Sequence, residues 1–473
     1  MDSIRSLVQI FLPAFSAPSF ENFCFLMLSW IQTSGRACIS NFLRAGRFMP
    51  DLLPRRGGQV KHFSALYRFF TRAKWNLDTL GECLVSLLAH RLYERELVVV
   101  IDDTLQCRGG PKILGAGMHF NAGDSTYGGS EGSQKVFSFG LNFVTLAVWI
   151  PVGFMRSGGI AVPVLFRLYR SKKTCPEEKY RKRTALAVDM LQVFRRWFPR
   201  RDVLVDVDHE YSCKTLLFEF DESMEMVGRL PWDAALYNPE FKQKNMGRPR
   251  VWGPKIQSPQ QLRDDDTIPW RPCVVRIYGR RVKLLVKTLQ AQWKSAPPDR
   301  TLTLLVTRDP AGRFDDACFF RLRSDTTPSD ILVPFSLRWS LEQCYRDCKQ
   351  LLRIETVQNG WARSATRADT NQPGPSAPKD REPTASRRTV PFGILCYGFV
   401  VAWYLLKGSA GADILRARND APWYLQKRTI SFGDMLKAFR RQMVTEQLWQ
   451  TPSESGFAKR EPPPGSDFYE EAA

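Results

Sequence analysis

The sequence predicts an α/β fold, a sheet layered with helices that carries an N-terminal helical part and a β-rich insertion. Three observations lead there. From residue 97 the chain turns to runs of Val, Ile, Leu and Phe at strand length: Leu97 to Ile101, Val136 to Ile150 and Ile160 to Tyr169. A helix follows over Pro176 to Phe198, with Leu186, Met190, Phe194 and Trp197 on one face. Then Val203 to Asp208 reads as a fourth strand, with a helix through Leu217. Carboxylates close the first and fourth strands, and acids at strand ends mark the usual site position of such layered sheets.

The 473 residues are enough for about two or three domains. Residues 1–95 read as short helices, at Phe23 to Ile31, Ile39 to Leu43, Phe63 to Phe70 and Leu80 to Leu88. Arg44, Arg47, Arg55, Arg56, Lys61, Arg68, Arg72 and Lys74 cluster near the helix ends, so this part is expected to be a DNA-binding domain; a helical cap with a solvated basic face is the plainer alternative. Residues 96–228 form the first part of the layered core. The Gly-rich stretch Arg108 to Gly132 reads as a mobile loop, since its Gly115-x-Gly117 lacks the rest of a dinucleotide fingerprint. Residues 229–329 are the β-rich insertion, with strands at Cys273 to Tyr278, Val282 to Leu289 and Leu302 to Arg308 and a turn at Asp309 to Gly312. Residues 330–363 return to helix. Residues 364–390, rich in Ser, Thr, Pro and charge, read as a flexible insertion. Residues 391–449 are helical again, and 450–473 read as a disordered tail.

Composition narrows the partner. Lys and Arg number 68 against 48 Asp and Glu, a net charge of +20. Arg outnumbers Lys by 47 to 21, which favours oxyanion-rich partners, because a guanidinium pairs bidentately with phosphate. Nucleic acid is the leading partner and an anionic membrane surface the second. The 11 cysteines contain no Cys-x2-Cys pair, which argues against a zinc ribbon or a disulfide framework and for a reducing, cytoplasmic setting. Val136 to Met155 is uncharged for 20 positions, yet its Ser, Gly, Asn, Thr and Pro content fits buried strands better than a bilayer span. Phe392 to Leu406 reads as a buried helix, too short to span, and no basic amphipathic anchor is evident. The expectation is a soluble protein with no membrane role.

Three carboxylate positions are placed to meet: Asp102 or Asp103 at the first strand end, Asp208 at the fourth, and Glu342 within the amphipathic segment Phe335 to Leu352. Hard cations such as Mg²⁺ favour oxygen ligands of this kind. Taken singly, an Asp after a strand is commonly a turn or cap residue, and a Glu among arginines is commonly a solvated ion-pair partner. Together they fall where a sheet edge and a helix can converge. Arg338, Glu342, Arg346 and Lys349 share one helix stripe; Leu341, Cys344, Cys348 and Leu351 share another. Gly247-Arg248-Pro249-Arg250, with Lys242, Lys244 and Lys255, is a short cationic loop of a kind that enters a minor groove, or else is simply solvated.

Phe335-x2-Arg338-x3-Glu342-x6-Lys349 resembles the Tyr-Arg-Glu-Lys signature of bacterial insertion-sequence transposases of the DDE superfamily. Ile101-Asp102-Asp103-Thr104 resembles that family's first-acid strand and Val205-x2-Asp208-x2-Tyr211 its second. Arg229-Leu230-x2-Asp233-Ala234-Ala235-Leu236-Tyr237 and the 247–250 loop resemble segments found between the second Asp and the Glu in one branch. The signature Tyr is Phe335 here. The resemblance implies a ribonuclease-H-like mixed sheet flanked by helices. It implies catalysis by Asp102, Asp208 and Glu342, which would hold two Mg²⁺ ions (or Mn²⁺). It also implies double-stranded DNA (transposon ends and target) as the partner, with contacts from Arg338, Arg346, Lys349, Arg248 and Arg250, and a homodimer or larger oligomer on DNA. The implied reaction is endonuclease cleavage at transposon ends, then strand transfer of the freed 3′ hydroxyl into target DNA. Asp102 is favoured over Asp103 because the family's Asp has a hydroxyl residue two positions on, here Thr104; Tyr211 favours Asp208 over Asp206. The alternative is an inactive or domesticated relative that binds DNA without cutting it. A cytoplasmic, nucleoid-associated location goes with either reading.

Overall fold

The β-branched run at Leu97–Ile101 opens strand β1 (Leu97–Cys107), which lies at the middle of the sheet. Strands β2 (Phe137–Pro151) and β3 (Gly159–Tyr169) form a long antiparallel pair, and β2 lies antiparallel to β1. On the other side of β1 come β4 (Val203–Val207) and β5 (Met224–Arg229), both parallel to it. The order β3-β2-β1-β4-β5, flanked by helices, is the ribonuclease-H-like mixed sheet expected from the sequence. The computed structural model describes residues 4–448 except 57, 93–95, 109–111, 122–124, 126–134, 242–247 and 359–381.

The insertion joins this sheet. Strands β6 (Arg271–Ile277), β7 (Arg280–Trp293) and β8 (Leu302–Arg308) form an antiparallel meander, and a further strand, β9 (Ala317–Arg321), pairs with β5. Among the described residues the result is one 11-stranded sheet. The join is made at the β5 edge, where Phe319 pairs with Arg229 and Phe320 with Gly228. Leu204, Val227, Val275, Leu305 and Phe319 then share one apolar cluster with Ile331, Leu332 and Phe335. Residues 229–329 are therefore β-rich, but they extend the core sheet.

The N-terminal helices α1 (Ala17–Gln32), α2 (Ile39–Gly46), α3 (Ser64–Thr71) and α4 (Leu77–Leu88) fall where the apolar spacing placed them. Their buried faces belong to the core of the sheet, so residues 1–95 do not form a body with a core of their own. Gly81 of α4 lies so close to β3 that an added Cβ would stand 2.0 Å from the backbone oxygen of Val164. Helix α5 (Arg183–Trp197) starts later than the sequence pattern implied, because a 3-10 turn occupies Glu177–Lys179.

Helices α6 (Pro328–Leu337) and α7 (Trp339–Leu351) carry the signature segment and break at Arg338. Helix α8 (Thr384–Lys407) is long and apolar enough to cross a membrane, yet it is buried within the fold as a core helix. It corrects the expected boundary: residues 384–390 are helical, not flexible. Their polar appearance hides a buried side formed by Ala385, Ser386, Thr389 and Val390. Arg388 meanwhile donates to the carbonyls of Ala73 and Trp75 at 2.9 and 2.8 Å. Helix α9 (Phe432–Thr445) closes the described chain. Residues 364–381 of the supposed insertion, most of the Gly-rich stretch, and the tail lie outside the described residues. Gly117–Phe120, within that stretch, is a short strand paired with β2.

Replacing Gly81 by Ala is expected to destabilise the protein by about 1–3 kcal/mol, since the backbone of β3 must yield to the methyl group. Thermal denaturation checks this, and an unchanged midpoint would contradict the close approach.

Candidate active site

Strand register builds the site. In the parallel β1–β4 pair, Ile101 lies beside Val207. The next residues along, Asp102 and Asp208, are thus neighbours, Asp208 standing just past the end of β4. Asp102 is not at a strand end, as the sequence implied. β1 runs on to Cys107 because β2 pairs with it throughout, Asp102 opposite Thr145 and Cys107 opposite Gly140.

Alternation along β1 sends Asp102 and Asp103 to opposite faces. Asp103 is fully engaged: it accepts from Asn142 at 2.7 Å, from Arg183 at 3.2 Å and from the Tyr211 hydroxyl at 3.2 Å. It is a structural acid binding α5 to the sheet. Tyr211, the residue that pointed to Asp208 in the sequence, spends its hydroxyl here.

Asp102 faces α7. Arg338, at the junction of α6 and α7, brings its Nη1 to 2.7 Å from Asp102 Oδ2 and 3.1 Å from Glu342 Oε1. Its side chain is only 18% exposed, against 15% for Asp102 and 35% for Glu342. Burial pushes the Asp102 carboxyl up to about 7, with the Arg338 charge pulling the other way. Glu342 is likewise raised by burial and lowered in part by Arg338. Burial works against the Arg338 charge, but Asp102, Asp208, Glu342 and Asp206 together hold its pKa above the usual value. The acids from β1, the β4 end and α7 thus converge on one guanidinium.

Asp206 is the residue sequence reasoning set aside. It is wholly buried, two positions before Asp208 on the same face of β4, and burial drives its carboxyl far up. It faces the Arg338 backbone, yet neither carboxylate oxygen completes a hydrogen bond, and the Arg338 Nε is likewise buried without a partner. An alternation of Asp at 206 and 208 along an apolar strand was the signal available for it.

Two expected DNA contacts are otherwise occupied. Arg338 is turned inward onto the acids. Lys349 donates to the Leu105 carbonyl at 2.9 Å and pairs with Glu355 at 3.1 Å, a strut between α7 and β1 that the helix stripe alone would not reveal. Arg346, Arg248 and Arg250 are exposed. Lys242, Lys244 and Gly247 of the cationic loop lie outside the described residues. Phe335 is buried against Phe319, ring centroids 4.7 Å apart, so it packs and does not face solvent. Leu341, Cys344 and Cys348 are buried as expected; Tyr345 joins them and bonds the Thr145 hydroxyl on β2, fixing α7 over the sheet.

Beside α7 runs a groove of about 850 Å³ that the sequence did not reveal. The exposed rings of Tyr278, Phe314 and Trp339 meet along it, 6.0 and 6.4 Å apart. Arg280, Arg281, Arg313 and Arg346 line it. Two arginines of the segment 167–201 are taken up within the chain. Arg167 bridges Asp78 and Asp189, and Arg195 pairs with Asp221.

Among the described residues no three His, Cys, Asp or Glu side chains lie close enough to share a metal ion. The expected ready-made metal centre is thus not formed in this arrangement, because the Arg338 guanidinium stands among the acids. The donor set still fits a hard cation: oxygen ligands, converging, with a cation already among them.

A family model of DDE superfamily endonucleases matches residues 52–281. The match spans Asp102 and Asp208 and ends within β7, before Glu342. A comparison with curated proteins returns no match.

The two adjacent aspartates should separate by stability. Asp102 holds its proton to about pH 7 in the fold but loses it near its ordinary value when unfolded, so the fold loses stability as pH rises between the two. Asp102→Asn is therefore expected to match the parent at pH 4 and to melt higher at pH 8. Asp103→Asn should melt lower at both, having lost its ion pair with Arg183. Thermal melts at both pH values check this; a lower midpoint for Asp102→Asn at pH 8 would contradict the assignment.

Proposed function

The chain is a DDE transposase-type protein, and from that premise we propose that it cuts DNA at the ends of a mobile element and transfers the freed 3′ hydroxyl into target DNA. The observation that carries this reading is the convergence of Asp102, Asp208 and Glu342 from β1, the β4 end and α7.

In this reading the three carboxylates hold divalent cations, Mg²⁺ or Mn²⁺. When bound, those ions supply charge neutralisation at the scissile phosphate and activation of the attacking hydroxyl. The chain's own residues do the placing. Tyr345 and Lys349 fix α7 against the sheet, so Glu342 stays opposite Asp102. Arg346 and the neighbouring arginines of the groove hold phosphates beside the acids, and the exposed rings accept bases that leave the duplex stack. Arg248 and Arg250, with exposed Arg55 and Arg56 of a short hairpin in the N-terminal region, extend the cationic contact along the duplex. In cleavage, water attacks phosphorus and the 3′ oxygen leaves as a hydroxyl. In strand transfer that hydroxyl attacks a target phosphate, and a target 3′ oxygen leaves in turn. Because both ends and a target take part, a homodimer or larger assembly on DNA goes with this reading.

The second reading, DNA binding without cutting, draws on the inward turn of Arg338 and the absence of a formed metal centre among the described residues. Asp102 and Glu342 joined through one arginine, with Asp208 beside Asp102 in the strand register, favour the first.

Nicking of terminal-repeat DNA is expected with Mg²⁺ or Mn²⁺ and not in EDTA. Glu342→Ala should abolish it while leaving DNA affinity within a few fold. Parent activity undiminished in EDTA, or retained by Glu342→Ala, would rule out the assignment. Arg346→Ala should weaken duplex binding and make it less salt-dependent by about one phosphate contact. A salt slope equal to that of the parent would place Arg346 off the DNA.

A further inference from the structure

Arg338 is a cation placed where a nuclease of this type needs one. Its Nη1 touches Asp102 and Glu342, and Asp208 and Asp206 lie within its field. Yet it is not a finished structural ion pair. A buried arginine kept for stability normally has its donors satisfied, since an unmet donor in the interior costs about 1–3 kcal/mol. Here Nε is buried without a partner, and so are both oxygens of Asp206 beside it. The network is half-satisfied, with donor and acceptor capacity left on the inner side. It stands at the junction of α6 and α7.

We propose that Arg338 is the resident cation of the acid cluster, leaving Asp102 and Glu342 only when a divalent ion takes its place. This rests on the metal-dependent reading above and adds to it a competition built into the apo chain. The guanidinium neutralises the acids while no DNA is present, so they need not be held apart as bare charges. It also keeps the chain from loading metal unprompted. Metal affinity in the free protein is therefore weak by design of the site, and anything that draws Arg338 away, such as a phosphate at the mouth of the groove, strengthens it. The balance is electrostatic: one positive charge at about 3 Å from two carboxylates opposes a second cation there strongly at the dielectric typical of such sites.

The experiment is calorimetric titration of Mn²⁺ into the DNA-free, full-length protein. Arg338→Gln is expected to bind Mn²⁺ at least roughly tenfold more tightly than the parent. Arg338→Lys, which keeps the charge, should stay within a few fold of the parent. Adding Glu342→Gln to Arg338→Gln should remove the gain, locating it at these acids. A variant weakened only in its fold would lose affinity, so a gain separates displacement from a structural role. If the parent binds and Arg338→Gln binds equally or more weakly, the resident-cation role is overturned while the metal reading stands. If no form binds Mn²⁺, the metal reading itself falls and this inference with it. Should Arg338→Gln not fold, the parent still decides. Its Arg338 Nε–H resonance, identified by its loss in Arg338→Lys, is expected to shift as Mg²⁺ is added. A resonance unmoved at saturating Mg²⁺ overturns the proposal.

Discussion

The parallel pairing of β1 with β4 is the constraint on which the site depends. Ile101 lies beside Val207, and one further step brings Asp102 level with Asp208. Because side chains alternate, a slip of one residue would exchange Asp102 for Asp103 and turn the site's acid toward α5. That slip is opposed on both faces. On one, Asn142, Arg183 and Tyr211 capture Asp103; on the other, Arg338 captures Asp102. The apolar run at 97–101, buried between layers, supplies the cohesion, and the two acids fix the phase.

Around that pairing the fold places helix α7. Tyr345 on Thr145, and Lys349 on the Leu105 carbonyl, are polar ties from one helix to two adjacent strands. Leu341, Cys344 and Cys348 bury the face between them. Glu342 is thereby presented from a rigid element, which suits a group that must meet partners to within fractions of an ångström. The insertion contributes the opposite wall, since Tyr278 of the β6–β7 turn reaches Trp339 at the start of α7 and packs against Phe314 of the β8–β9 turn.

Much of this was legible in the sequence. Strand runs, the helix at Leu186 to Trp197 and the order of the elements followed from periodicity, because burial sets a side-chain period that composition cannot hide. Asp102, Asp208 and Glu342 could be chosen by their places on elements that the fold indeed brings together. What the sequence hid were the places where polar residues are used internally. A stripe of Arg338, Arg346 and Lys349 looks alike on paper, yet two of the three bond within the chain, and only packing decides which. Strand β9 was missed because Ala317–Arg321 is short and follows two aspartates, and its pairing with β5 is long-range. The start of α8 was missed because Thr384 to Val390 look soluble, while the carbonyls that satisfy Arg388 lie some 315 positions earlier. Asp206 was passed over because Tyr211 pointed to Asp208, although that hydroxyl bonds Asp103 in the fold.

Helix α8 has a consequence in time as well as in space. It completes the core against α1, α3, α4 and β3, elements synthesised long before it. About 300 residues separate the end of α4 from the start of α8, so at ordinary rates of synthesis the early helices wait roughly 15–60 s for their partner. During that wait the parts of α1 and α4 that α8 covers lie open, and contacts of such high sequence separation close slowly. The assembly of this chain is therefore governed by its last third. A nascent or truncated product lacking α8 would expose the aromatic residues, Phe23, Phe69 and Phe70 among them, that the finished protein packs around Phe392.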